Sequence, residues 1–261
     1  MDKKITPLGI TFDVFQLFNR SEMKSEDTIR WYNYAIPQMF NSRSGIPLET
    51  QACELTEEHL RRYCASLRDR QFKGRSLSSS TINGHVRCIR AFCSWLYRNQ
   101  YTEIHLLKDF RPPKVIKQTI DVLSDAEVTT LLQAASLYRR DVAIVSLMLD
   151  SGLRASELTG AKIEDLDVNR GTVKVLGKGR RERIVSFGRS TSKYITSYML
   201  HERPNDCLSE RIFVSSIGRN MNRGSLYQLF VRLRGRSGIS RLHPHLLRHS
   251  FASSFLLAGG S

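Results

Sequence analysis

The sequence predicts a mainly α-helical protein with one small antiparallel β-sheet, divided into a helical first domain and a mixed α/β second domain. Three observations carry this. Apolar residues recur at three- and four-residue spacing behind Ser and Thr start signals through most of the chain. Runs of β-forming residues cluster only between 166 and 187, where Gly-containing turns separate them. A proline pair with basic flanks, Arg111-Pro112-Pro113-Lys114, interrupts the helical patterning. The 261 residues are 41% hydrophobic and 9% aromatic, enough to bury real cores and to exclude a disordered chain. No run reaches the ~18 consecutive apolar residues of a membrane helix. Met1-Asp2-Lys3-Lys4 leads into no apolar stretch with a small-residue cleavage site, so no secretory leader is expected. The five cysteines form no Cys-x-x-Cys pair, which favours reduced, structural thiols in a cytoplasmic protein.

Taken in order, the chain through 107 reads as a small helical bundle without strands. A helix is expected over 25–41, with Pro37 kinking or ending it. Thr56 precedes Glu57 and Glu58 as an N-cap with first-turn acids, and Leu60, Tyr63, Cys64 and Leu67 follow on one face. Ser78-Ser79-Ser80 opens the clearest helix. Its stripe is Ile82, Val86, Ile89, Cys93 and Leu96, widened by Phe92 and Trp95. Residues 108–119, centred on the prolines, read as a semi-rigid linker.

The second domain then spans 120–261. Ser124-Asp125-Ala126-Glu127 is a capping-box pattern leading into Val128, Leu131 and Leu132. An apolar helix over 141–149 ends at Ser151-Gly152, and Gly160 ends a short helix containing Glu157 and Leu158. Strands are expected at 166–168, 172–176 and 183–187, joined by Asn169-Arg170-Gly171 and Gly177-Lys178-Gly179. That is a three-stranded antiparallel meander with Lys178 at the tip of its second hairpin. Helices return over 190–203 and 225–237, and a last one starts after His243-Pro244 and runs towards Leu257.

The chain carries 40 Lys and Arg against 25 Asp and Glu, a net charge of +15. Through Lys117 the balance is 19 basic to 12 acidic, and beyond it 21 to 13, so no detachable basic tail explains the total. Cations spread over a folded chain are the footprint of a partner with many phosphates, and nucleic acid leads. Arg87, Arg90 and Arg98 lie largely off the apolar stripe of their helix, and a solvated face and a nucleic-acid-facing one are both open.

Three segments of the second domain hold polar groups that packing does not require. In Ser151-Gly152-Leu153-Arg154-Ala155-Ser156-Glu157-Leu158, Arg154 follows a glycine break as either a surface residue or an ion-pair partner of Glu157. In Gly177-Lys178-Gly179-Arg180-Arg181-Glu182-Arg183, a lysine between glycines is by itself only a solvated turn. In His243-Pro244-His245-Leu246-Leu247-Arg248-His249, His245 and Arg248 stand three apart on one helix face. His245 and His249 have metal-ligand spacing, yet no Glu follows the first and no Cys is near in sequence, so no metal is expected.

Together these segments resemble the tyrosine recombinase (phage integrase) family, especially its Xer-like bacterial branch. Gly-Leu-Arg-x-Ser-Glu-Leu at 152–158 matches its first arginine box, and Gly-Lys-Gly-x-x-x-Arg at 177–183 its lysine hairpin. Pro-His-x-Leu-Arg-His-Ser-Phe-Ala at 244–252 matches the second box. Ser78-x-x-Thr81-Ile82-Asn83, the Phe92-to-Trp95 region and the Pro-Lys linker are similar to the family's SAM-like core-binding domain, so the likeness covers nearly the whole chain.

The resemblance implies a tyrosine-recombinase catalytic domain that breaks and rejoins double-stranded DNA through a 3′-phosphotyrosyl intermediate, with no cofactor. It implies two basic domains closing around the duplex in the nucleoid, and self-association on DNA, as a tetrameric synapse in a full-length relative. Arg154 and Arg248 would hold the non-bridging oxygens of the phosphate, Lys178 would protonate the leaving 5′-oxygen, and His245 would hydrogen-bond the phosphate or assist proton transfer. Glu157 would orient the site, and Arg87, Arg90, Arg180, Arg181 and Arg223 would contact DNA.

One departure matters. The family's nucleophilic tyrosine stands further beyond the second arginine than Ser261, and the last tyrosine here, Tyr227, precedes the His245 box. Tyr194, Tyr198 and Tyr227 read as packing or surface aromatics. The sequence therefore reads as C-terminally incomplete: a piece of a longer protein, a disrupted reading frame, or a chain completed by another subunit. As given, it is expected to bind DNA without forming the covalent intermediate. Two other functions compete. One is a non-catalytic DNA-binding remnant that keeps the phosphate clamp. The other is a type IB topoisomerase, against which the linked helical domain and the lack of a long charged coiled coil argue.

Overall fold

A computed structural model describes residues 3–40, 46–72, 74–110, 121–177 and 181–260. Lys178, Arg180 and most of the 108–119 linker lie outside the described residues. The chain divides into two compact units, Met1–Gln118 and Thr119–Ser261.

The first unit contains α1 (Leu8–Ser21), α2 (Glu26–Ala35), α3 (Glu57–Asp69) and α4 (Ser79–Arg98). Three of these helices start at a side-chain cap. The hydroxyls of Ser25, Thr56 and Ser78 accept from the N–H groups of Thr28, His59 and Thr81, satisfying donors that the first turn leaves free. α2 stops where Pro37 opens a 3-10 turn, as the sequence predicts. α1 has no such signature. Pro7 stands at its N-cap with no side-chain bond, and its apolar residues are too dense to select one period. Burial selects it instead: Leu8, Phe12 and Phe15 face the core, while Ile10 and Leu17 remain exposed. The core is strongly aromatic. Phe92 of α4 lies 5.3–6.3 Å, centroid to centroid, from Phe12, Phe15, Phe40 and Trp95. The expectation of a strand-free bundle needs one correction. A two-residue ladder, β1 (Gln71–Phe72) with β2 (Arg75–Ser76), joins α3 to α4 on the exposed side. Strands that short and exposed carry no alternation for sequence reading to find.

The second unit contains α5 (Asp125–Ala135), α6 (Arg139–Ser151), α7 (Ala155–Gly160), β3 (Leu166–Asp167), β4 (Thr172–Leu176), β5 (Glu182–Ser186), α8 (Arg189–His201), α9 (Arg223–Ser237) and α10 (Pro244–Leu257). The sheet is the expected antiparallel meander, ordered β3-β4-β5, with Val173 opposite Val185 and Val175 opposite Arg183. α6 is the central helix. Ala143, Ile144, Val145, Leu147 and Met148 are fully buried, and α5, α8 and α10 pack around it. Burying each of its large apolar side chains contributes roughly 1.5–3 kcal/mol, so α6 is a rigid base for whatever its ends carry. Its C-terminal end carries Gly152, which is required twice over. The residue has φ +60°, and a Cβ there would stand 2.3 Å from the Phe251 ring of α10.

Candidate functional site

The chain leaves α6 at Gly152, buries Leu153 and presents Arg154 immediately before α7. One turn on, Glu157 reaches back. Its Oε2 accepts the Arg154 backbone N–H at 2.8 Å, and its Oε1 accepts an Arg154 Nη1–H at 2.8 Å. Both readings of Arg154 therefore hold: it is paired with Glu157, yet its side chain is 44% exposed beside a carboxylate that is 2% exposed.

A second guanidinium fills the rest of that carboxylate. Arg183 of β5 donates from Nη1 to Oε1 at 2.7 Å and from Nη2 to Oε2 at 2.9 Å, a bidentate pair. Burial raises the Glu157 pKa, but the Arg154 N–H and the two guanidiniums outweigh it and hold the carboxyl below its ordinary value. The hairpin base closes against the same group, since a Cβ on Gly177 would stand 3.7 Å from Glu157 Oε1 and 3.7 Å from Arg183 Nη1.

The third arginine arrives from α10. His243 stands at the N-cap position of this helix without a side-chain capping bond, Pro244 occupies its first turn, and buried Leu246 and Leu247 seat it. Leu123 N–H donates to Ser250 Oγ at 2.8 Å, and Arg241 pairs with Glu127 of α5, so both ends of the approach to α10 are tied down. Arg248 donates from Nη1 to the Gly152 carbonyl, which brings the second box onto the first. Burial, then the nearby charge of Arg154, lowers the Arg248 pKa. His245 lies one turn earlier and is exposed. Partial burial, then His243, His249, Arg248 and Arg154, hold its imidazole below the ordinary value. Two guanidiniums thus hold one buried carboxylate, and a third guanidinium and an imidazole lie close to Arg154, a net positive site suited to an oxyanion. Arg183 and Arg248 also line an open cleft of about 480 Å3 with Asp150, Ser186, Phe251 and Phe255.

The other singled-out residues are more scattered. Arg87 is exposed and Arg90 half-buried on α4, Arg181 is exposed on the hairpin, and Arg223 is exposed at the start of α9. Lys178 and Arg180 lie outside the described residues. Tyr198 is buried with its hydroxyl accepting the Val214 N–H, whereas Tyr194 and Tyr227 are exposed. Burial pushes the thiols of Cys64, Cys88 and Cys93 up to about 11, about 12 and about 12. Among the described residues, no group of three or more His, Cys, Asp or Glu is arranged to hold a metal ion, and no helix is long and apolar enough to cross a membrane.

Sequence reasoning left Arg183 without a role. The signal was present in the strand alternation, which puts residue 183 on the inner face with Val185 while Ile184 points out. An arginine on an inner face calls for a buried carboxylate.

Comparison with known proteins follows the same residues. The model of the phage integrase family matches residues 121–261. The tyrosine recombinase XerD of Oceanobacillus iheyensis is 33% identical over 195 residues, covering 72% of this chain and 66% of that protein. The tyrosine recombinase XerC of Xylella fastidiosa (strain M23) is 31% identical over 196 residues, covering 71% of this chain and 64% of that one. The chain thus spans just under two thirds of the length of these relatives. Among solved structures, the Tn1549 transposon integrase in complex with a circular intermediate DNA superposes with a TM-score of 0.77 at 17% identity, covering 98% of this chain and 89% of that one. A lambda integrase dimer bound to a COC′ core site gives 0.75 at 16% identity, covering 98% and 92%. At such identities the likeness is one of fold.

Proposed function

This chain belongs to the phage integrase family, the tyrosine recombinases, and from that premise we propose that it acts in site-specific breakage and rejoining of duplex DNA through a 3′-phosphotyrosyl intermediate. In this reading its own residues supply phosphate activation, and the nucleophile is not among its tyrosines. The observation that carries the reading is Arg248 donating to the Gly152 carbonyl, two residues before Arg154, near enough for the Arg154 charge to lower the pKa values of both Arg248 and His245. Attack on a phosphodiester builds charge on the non-bridging oxygens. Two guanidiniums that never deprotonate stabilise that charge through fixed donors. His245, whose pKa is lowered by burial and then by its cationic neighbours, can hydrogen-bond the phosphate or assist proton transfer. Lys178 is assigned protonation of the leaving 5′-oxygen, by its match to the lysine hairpin. Arg87, Arg90, Arg180, Arg181 and Arg223 are assigned to the duplex backbone, where the protein self-associates in the cytoplasm, with a tetrameric synapse expected of a full-length relative.

The test uses nicked duplex substrates recovered by selection for binding. Residues 1–261 should retard these duplexes and yield no SDS-stable protein–DNA adduct on a denaturing gel. An adduct would overturn the assignment of the nucleophile outside these residues, and absence of duplex binding would overturn the reading as a whole. If about eight phosphates are neutralised, log affinity should fall against log salt with a slope of about −7. If the protein continues beyond residue 261, the chain carrying those further residues should form the adduct. Failure there would identify a DNA-binding remnant that keeps the clamp without cleavage.

A further inference from the structure

We infer that Arg183 is a positioning residue: by occupying half of the acceptor positions of the buried Glu157 carboxylate, it keeps the outer donors of Arg154 free for a phosphate. The inference rests on the phosphate-clamp reading and assigns a role to a residue outside the matched catalytic positions.

An ionised carboxylate offers about four lone-pair positions, two on each oxygen. At Glu157 four donors occupy them. Oε1 takes Arg154 Nη1 and Arg183 Nη1, and Oε2 takes the Arg154 backbone N–H and Arg183 Nη2. Arg154 therefore spends one side-chain N–H on Glu157 and leaves the rest of its fork at the surface, consistent with its 44% exposure. A guanidinium left alone with a carboxylate prefers the bidentate, fork-to-fork arrangement. Arg183 already holds that arrangement, so Arg154 cannot.

Without Arg183, Glu157 would be a carboxylate at 2% exposure with two unfilled acceptor positions. The next available donors belong to Arg154. Its guanidinium would turn onto Glu157, and the donors withdrawn from the surface would be those meant for the phosphate. Arg183 also belongs to the second strand of the lysine hairpin, and a Cβ added to Gly177 at the hairpin base would meet the same group at 3.7 Å. The residue therefore links hairpin and first arginine box through a single carboxylate. A lysine cannot replace it, because a point charge cannot fill both oxygens in one plane.

The experiment uses the full chain with inorganic phosphate as the probe, following the assigned Arg154 Nε–H signal by 15N NMR. In the wild type, phosphate should shift this signal. Arg183→Lys keeps the charge and loses the fork, and its phosphate affinity at Arg154 should fall about tenfold. A crystal structure of that variant should show Arg154 donating twice to Glu157. Arg183→Gln should weaken phosphate further, and if it fails to fold, Arg183→Lys decides alone. Wild-type affinity in Arg183→Lys, with Arg154 still singly bonded to Glu157, would overturn the inference and leave Arg183 as a charge only. If phosphate leaves the wild-type Arg154 signal unmoved, the phosphate-clamp reading falls. The Arg154 conformation in Arg183→Lys would still decide what Arg183 does.

Discussion

The two units bury different things. Among the described residues, the first buries rings, thiols and neutral polar groups such as Asn19, Asn83 and His85, but no carboxylate. The second buries Asp141 and Glu157, each against arginine. A buried charge costs several kcal/mol unless it is paired and fully hydrogen-bonded, so an apolar interior is the default. The first unit keeps that default. The second departs from it at Glu157, where the carboxylate holds two cations at fixed positions on an otherwise repelling surface. A pair formed entirely at the surface would be too weak and too mobile to do so. The ion pairs at Glu157 therefore serve geometry before stability.

The largest effect is expected at the aromatic core of the first unit. Phe92→Ala removes the ring that meets four others and should destabilise that unit by about 4 kcal/mol in urea titration, followed by the two tryptophans, Trp31 and Trp95. In the second unit, Arg140→Met strips Asp141, 1% exposed, of its guanidinium and should cost about 3 kcal/mol by denaturant unfolding followed with far-UV circular dichroism. An effect below that of a helix cap would mean that this buried charge relaxes into solvent. The caps themselves come next. Ser78→Ala and Ser124→Ala should each cost about 1 kcal/mol, equal in the two units because capping is local.

Acid should separate the units in order. Burial, then the Arg70 guanidinium, lowers the His85 pKa, so the unfolded chain takes up a proton that the fold resists once the pH drops below about 6.5. The first unit therefore has this contribution in full above that pH and loses it as the pH falls towards the folded value. In the second unit, hydrogen bonds from Arg241 and then the Ser124 N–H pull Glu127 from 4.5 to about 2. That contribution is present above 4.5 and is lost only as the pH falls towards 2. Tryptophan fluorescence, which reports the first unit alone, should show weakened stability at pH 5.5, and His85→Gln should flatten the dependence. An unchanged profile in His85→Gln would remove His85 as its source.

Much of the fold was legible because its signals are local. Thr56, Ser78 and Ser124 each cap the helix their sequences announce, and Pro37 and Gly152 end helices by forbidding or permitting one backbone conformation. The three strands followed from alternation and their Gly turns. The pairing of Arg154 with Glu157 was also within reach, as three residues along a helix bring side chains together. α1 was not legible, since Leu8, Ile10, Phe12, Val14, Phe15, Leu17 and Phe18 satisfy two periodicities and no cap breaks the tie.

The sequence by itself determined the helices, the meander and the residue types at the site, because each depends on neighbours a few positions away. Only the tertiary structure decided that Arg248 would rest on the Gly152 carbonyl and that Arg183 would share Glu157 with Arg154. Those contacts join residues 96 and 26 positions apart. Their geometry depends on how α6, α10 and the hairpin pack, and no periodicity along one element encodes the distance between two.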